Sequence, residues 1–161
     1  MKTIFTVLLL LFLILVLIQD LKSRTIHILL PILIFCVSVY ISKYFDKVQL
    51  NNLIINVVFF ISTIIILSLY MSIKNKQFLN PFQNYFGFGD FLFYLSITPL
   101  FFIKNYILFF IFSMIFAIAI QKGFKKFINQ DNIPLAGLSA LFLVFVLAID
   151  LFLGFSKITL I

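Results

Sequence analysis

The chain contains no glutamate and no tryptophan, and its 161 residues include only one cysteine, one histidine and five acids, all aspartates. A lone cysteine, Cys36, excludes an internal disulfide and a cysteine-based zinc centre, and a lone histidine, His27, supplies no imidazole set for a metal. No metal or other cofactor is expected. No Pro-rich or Ser-rich stretch marks a linker, so residues 1–161 are read as one domain. The net charge of +7 would suit nucleic acid, but the lysines are scattered over the polar loops instead of forming one face, and no nucleic-acid partner is expected. Anionic lipid headgroups match that charge better.

What the sequence has in excess is hydrocarbon. With 64% hydrophobic and 11% charged residues, it has too little polar surface for a water-soluble globule. The fold expected is an all-α polytopic membrane helix bundle, with the lipid bilayer as its surroundings. Apolar runs at 3–19, 27–42, 53–72, 90–103, 105–120 and 133–155 give about six transmembrane helices. Several runs are shorter than the ~20 residues a crossing usually takes, so helices extended by a turn into the polar flanks, or a thinned membrane, are expected. Only Lys104 and Asn105 separate the fourth run from the fifth, and Pro99 interrupts the fourth, which leaves two full crossings or a re-entrant hairpin open over 90–120. The first run resembles a secretory signal, but Gln19-Asp20-Leu21 follows where a small-residue cleavage site would stand, and it is read as a spanning helix. Cys36, inside the run Ile32–Val39, is read as a packing residue, and the 24 phenylalanines as lipid-facing bulk and helix packing.

Against this background an acid at the edge of an apolar run is costly and is read first as a working group. Asp20 follows the first run, and Asp90 closes Gly87-Phe88-Gly89-Asp90 at the start of the fourth. Only the second and third crossings lie between them, so parity places both on one side of the membrane whatever happens over 90–120. Lys22, Arg24, Lys74, Lys76, Lys122, Lys125 and Lys126 flank that side and Lys2, Lys43, Lys47, Lys104 and Lys157 the other, which makes the acids' side cytoplasmic. Two close carboxyl groups share a proton, so one deprotonates water while the other polarises a peptide carbonyl, the chemistry of an aspartic protease. Asp20 and Asp90 are therefore the candidate catalytic pair. Helix dipoles favour Asp90, at a helix start, as the anion and base, and Asp20, at a helix end, as the acid. Gly87 and Gly89 suit a backbone that needs positive φ or a close approach. On the bland reading Asp90 merely caps its helix.

Asp20-Leu21-Lys22-Ser23-Arg24-Thr25-Ile26, Gly87-Phe88-Gly89-Asp90 and Ile133-Pro134 together resemble the type IV prepilin peptidases, a family of membrane aspartyl proteases. The resemblance spans nearly the whole chain. It implies six transmembrane helices, catalysis by Asp20 and Asp90, and a pilin-like precursor protein as substrate, cut after its basic leader at the cytoplasmic edge of a prokaryotic inner membrane. Gly87 and Gly89 would then be substrate-binding, letting an extended leader lie against the loop, with loops 72–89 and 121–132 shaping the entrance. Ile26-His27-Ile28 replaces the family's frequent Ile-Pro-Asn, and Leu92 stands where a lysine is common. Larger members carry an amino-terminal methyltransferase region with cysteine pairs; this chain resembles the short form without it.

The remaining polar residues have plainer readings. Asp131 reads as a loop and cap before Ile133-Pro134, Asp46 as a solvated loop residue, and Asp150 as packing inward or reaching the interface. Gly137-Leu138-Ser139 faintly resembles the serine motif of rhomboid proteases, but those place the histidine downstream, whereas His27 lies upstream, so Ser139 is read as packing. Two alternatives remain from the sequence alone: a small ion or proton transporter using the acids, or a non-enzymatic membrane scaffold that needs neither. The oligomeric state is not legible.

Overall fold

A computed structural model describes residues 2–44, 50–76, 86–123 and 133–153. They form six helices: α1 (Lys2–Ser23), α2 (Leu29–Tyr44), α3 (Leu50–Asn75), α4 (Phe88–Ser96), α5 (Ile103–Gly123) and α6 (Leu135–Leu153), with a short 3-10 turn at Thr98–Leu100 after α4. Among the described residues there is no strand, and the protein is an all-α membrane helix bundle. The stretches Ile4–Ser23, Asn51–Asn75 and Ile103–Gly123 are long and apolar enough to cross a membrane, while Leu29–Ser42, Phe88–Leu100 and Leu135–Asp150 are apolar but shorter. Each helix answers one of the six apolar runs of the sequence.

In α1 a buried stripe runs through Leu9, Leu13 and Val16 to Asp20, at the four-three-four spacing that keeps residues on one helix face. The opposite stripe, Ile4, Val7, Leu11, Ile14 and Ile18, is just as apolar and is exposed. A helix that is oily all round belongs in lipid. Cys36 lies on the corresponding outer face of α2, exposed, with Ile34, Val37 and Ile41 turned inward. Its expected packing role is thereby corrected, and a thiol, being a small hydrophobe, is tolerated there. The phenylalanines divide between lipid and core. Phe60 of α3 is fully buried, with ring centroids 5.4 Å from Phe91, 5.7 Å from Tyr94 and 5.9 Å from Phe110.

Phe88–Leu100 has a length of about 20 Å at 1.5 Å per residue, short of the ~30 Å hydrocarbon core. Pro99 sits in the turn that interrupts it. Four carbonyls around this break are reached by side chains. Ser96 Oγ donates to Phe93 O at 2.7 Å, Thr98 Oγ1 to Leu95 O at 2.8 Å, and Asn56 Nδ2 of α3 to Thr98 O at 2.9 Å and Phe101 O at 2.7 Å. Asn56 is completely buried. Broken backbone at membrane depth is tolerated only with such partners. The anchored break fixes the far end of α4, and its near end carries Asp90.

Candidate active site

Asp20 comes to the site because it ends the inward stripe of α1; it is 5% exposed. Helix α1 then closes by donation from Arg24 N–H to Asp20 O at 3.1 Å, with Arg24 in the left-handed region at φ 57°. That conformation is the usual helix-ending geometry, more often taken by glycine. Gln19 Oε1 accepts the His27 N–H at 3.1 Å and folds the basic loop back. The loop thus brings Ile26 against Gly89, where a Cβ would lie 3.2 Å from Ile26 Cδ1.

Asp90 is the third residue of α4, whose N-cap is Gly87. It does not occupy the cap position itself, but Gly87 N–H donates to its Oδ2 at 3.1 Å, so part of the capping expectation is present. Its other oxygen, Oδ1, accepts the Ala136 N–H at 2.7 Å, and Asp20 Oδ2 accepts the next amide, Gly137 N–H, at 2.6 Å. The two acids, 70 positions apart, are held on consecutive amides in the first turn of α6.

The reason lies in the start of α6. A helix leaves its first amides without intrahelical acceptors, and Pro134 before it has no N–H of its own. Leu135 N–H donates to Ile133 O at 2.9 Å and Leu138 N–H to Pro134 O at 3.0 Å, leaving Ala136 and Gly137 for the carboxylates. Distances of 2.6 and 2.7 Å are short for N–H···O hydrogen bonds, and a helix N-terminus favours negative charge on the pair. Asp20 and Asp90 lie near enough to feel each other electrostatically, and the Arg24 guanidinium lies near enough to act on both. The dipole asymmetry expected from the sequence is corrected here. Although Asp20 sits toward the end of its own helix, its carboxyl group faces the N-terminus of α6, as Asp90's does.

The glycines owe their place to proximity. Gly87 has φ −65°, an ordinary value, so the positive-φ alternative is set aside. A Cβ on Gly87 would lie 2.8 Å from Asp90 Oδ2, and one on Gly137 would lie 3.0 Å from both Asp20 Cβ and Asp20 Oδ2. Gly87 is exposed beside the half-buried Asp90, which leaves backbone open on that side. Ala136 and Gly137 are the site residues that side-chain reasoning missed. Ile133-Pro134 announced a helix start, and a helix start facing two acids is an anion site.

Other candidates fall elsewhere. Ser139 is fully buried, with its Oγ 2.7 Å from Tyr94 OH, while His27 is exposed and its Nδ1 accepts the Leu29 N–H at 3.4 Å, so they form no catalytic pair. Asp150 packs inward at 6% exposure. Asp46 and Asp131 lie outside the described residues, as do large parts of loops 72–89 and 121–132. Among the described residues no group of three His, Cys, Asp or Glu side chains is placed to hold a metal ion.

The chain matches no curated protein and no solved structure. Residues 7–122, a stretch that holds both aspartates and the Gly87-Phe88-Gly89-Asp90 segment, match the profile of a known family. By that match the chain belongs to the type IV leader peptidase family.

Proposed function

We propose that the protein is a membrane aspartyl endopeptidase that removes the leader peptide of type IV pilin-like precursors, with Asp20 and Asp90 as its catalytic pair. The observation that carries the reading is the convergence of two carboxyl groups from α1 and α4 on the Ala136 and Gly137 amides of α6. Two acids so placed hold one proton between them, because two adjacent charges in a water-poor site repel. Asp90 accepts an N–H on each oxygen, whereas Asp20 accepts one through Oδ2. This favours Asp90 as the anion and leaves the proton to Asp20.

In the reaction Asp90 takes a proton from water while Asp20 hydrogen-bonds the scissile carbonyl. The water oxygen adds to the carbonyl carbon, and the carbonyl oxygen receives the proton of Asp20, giving a gem-diol. Asp90 then passes its proton to the amide nitrogen, the C–N bond breaks, and a hydroxyl proton of the diol returns to Asp20. No metal and no covalent intermediate takes part. Gly87 and Gly89 are the proposed contacts for an extended leader, because the exposed Gly87 backbone adjoins Asp90 without a side chain in the way. The basic residues on the acids' side of the membrane support a site that faces the cytoplasm, and membership of the type IV leader peptidase family supports the inner membrane of a prokaryote.

Co-expression with a pilin-like precursor from the same genome tests the reading. The wild-type chain shortens the precursor by its leader, and Asp20→Asn and Asp90→Asn do not. A precursor left whole by wild type, or cut equally by all three chains, contradicts it. Residual cleavage by Asp20→Asn above that of Asp90→Asn supports the division of roles, which a pH profile of a jointly titrating pair does not resolve.

A further inference from the structure

Directly beneath the acid pair lies a buried polar chain that the proposed chemistry does not use. Tyr94, Ser113 and Ser139 are each completely buried, one each on α4, α5 and α6. Tyr94 OH is 2.8 Å from Ser113 Oγ and 2.7 Å from Ser139 Oγ, and Ser113 Oγ donates to Phe110 O at 3.0 Å.

The protons of this chain can be assigned. A serine hydroxyl has one proton, and that of Ser113 goes to the Phe110 carbonyl. Ser113 therefore accepts from Tyr94. The single phenolic proton is then engaged, so Tyr94 accepts from Ser139. The chain runs one way, from Ser139 through Tyr94 and Ser113 to a carbonyl of α5. Every proton in it is committed, which makes it a structural tie and not a relay to the acids.

Its position relates it to Asp90. Tyr94 lies four residues after Asp90 on α4, and Ser139 three residues after Ala136 on α6, so each is one turn further along the same face of its helix. Asp90 to Ala136 and Tyr94 to Ser139 are thus two successive rungs between two parallel helices. One rung acts as a pivot, about which α4 can slide or rotate; two rungs fix height and rotation together. We propose that Tyr94 is a positioning residue for the peptidase reaction, setting the register of α4 on α6 through Ser139 so that the Asp90 carboxyl group stays on the Ala136 amide beside Asp20. This inference rests on the peptidase reading and adds to it a residue that never touches substrate.

The test compares purified wild type, Tyr94→Phe, Ser139→Ala and Tyr106→Phe on one pilin-like precursor, with rates expressed per folded enzyme. Tyr106 is the control for a merely structural loss, since it is equally buried and donates its hydroxyl to Tyr94 O at 3.1 Å, but makes no rung to α6. Tyr94→Phe is expected to lower kcat about tenfold or more with KM within about twofold, as misplacement of a catalytic group does. Ser139→Ala moves kcat in the same direction by several-fold, and Tyr106→Phe keeps the wild-type kcat. Should Tyr94→Phe fail to fold, Ser139→Ala carries the test, since Tyr94 keeps Ser113 as its acceptor. A Tyr94→Phe enzyme no slower than Tyr106→Phe, a loss confined to KM, or a wild-type kcat in Ser139→Ala overturns the inference while wild-type cleavage keeps the peptidase reading. Failure of wild type to cut overturns both.

Discussion

Gly87 donates its N–H to Asp90 Oδ2 at 3.1 Å, and the same oxygen lies 2.8 Å from where a Cβ on Gly87 would stand. Backbone and acid are in contact over an edge that no side chain fits. In Gly87→Ala the cheapest relief is rotation of the carboxyl group, because the obstructing atoms belong to the end of a side chain. Stability should change by less than about 1 kcal/mol, while cleavage falls on the order of 10²-fold from the displaced oxygen. Thermal unfolding in detergent micelles alongside precursor cleavage checks this separation of effects.

Gly137→Ala meets a firmer obstacle. Its Cβ would press on Asp20 Cβ, which is fixed by the backbone of α1, so α1 and α6 must move apart. The expected cost is about 1–3 kcal/mol of overpacking, part of it offset by alanine's better helix propensity, together with loss of cleavage. Gly123→Ala, with nothing within 4 Å of the added carbon, is the contrast. It should leave cleavage unchanged and stability equal or up to about 1 kcal/mol higher. Equilibrium unfolding of the two variants in mixed micelles measures the difference.

Asn56→Leu should destabilise the bundle by roughly 2–4 kcal/mol, since it leaves the Thr98 and Phe101 carbonyls without their donor in an apolar interior. Asn56→Asp should be worse, because it turns an acceptor toward two acceptors. The same unfolding measurement, on wild type and both variants, gives the order.

Lys76 is exposed and left-handed, at φ 53°, where the chain leaves α3. Glycine adopts that conformation without a Cβ clash. Lys76→Gly should gain up to about 1 kcal/mol and Lys76→Val should lose a similar amount, with cleavage unaffected in both. A stability order reversed between these two variants would contradict the backbone argument.

The bundle was legible because its composition admits little else, and the approach of Asp20 to Asp90 because two crossings between them return the chain to one side. The inward face of α1 was not. Leu9, Leu13 and Val16 face the core while Val7, Leu11 and Ile14 face outward, and the letters are the same on both faces, so hydropathy carried no direction. The amides that hold the acids were hidden for another reason: every residue but proline has an N–H, and only the helix start at Ile133-Pro134 hinted which ones would be unclaimed. Pro99 marked a break in the fourth run, yet its partner Asn56 lies 42 residues before Thr98, a pairing no local pattern encodes. Cys36 was misjudged because in a membrane an apolar neighbourhood in sequence does not mean a buried one.

The most direct test of the central claim is a double-mutant cycle on the rate of precursor cleavage, with Asp20→Asn, Asp90→Asn and the two combined. If the carboxyl groups held on Ala136 and Gly137 act as one unit, each single variant loses at least about 10³-fold and the double variant loses no more than the worse single one. Losses that multiply in the double variant, or a single variant that cuts at the wild-type rate, would contradict a shared catalytic pair.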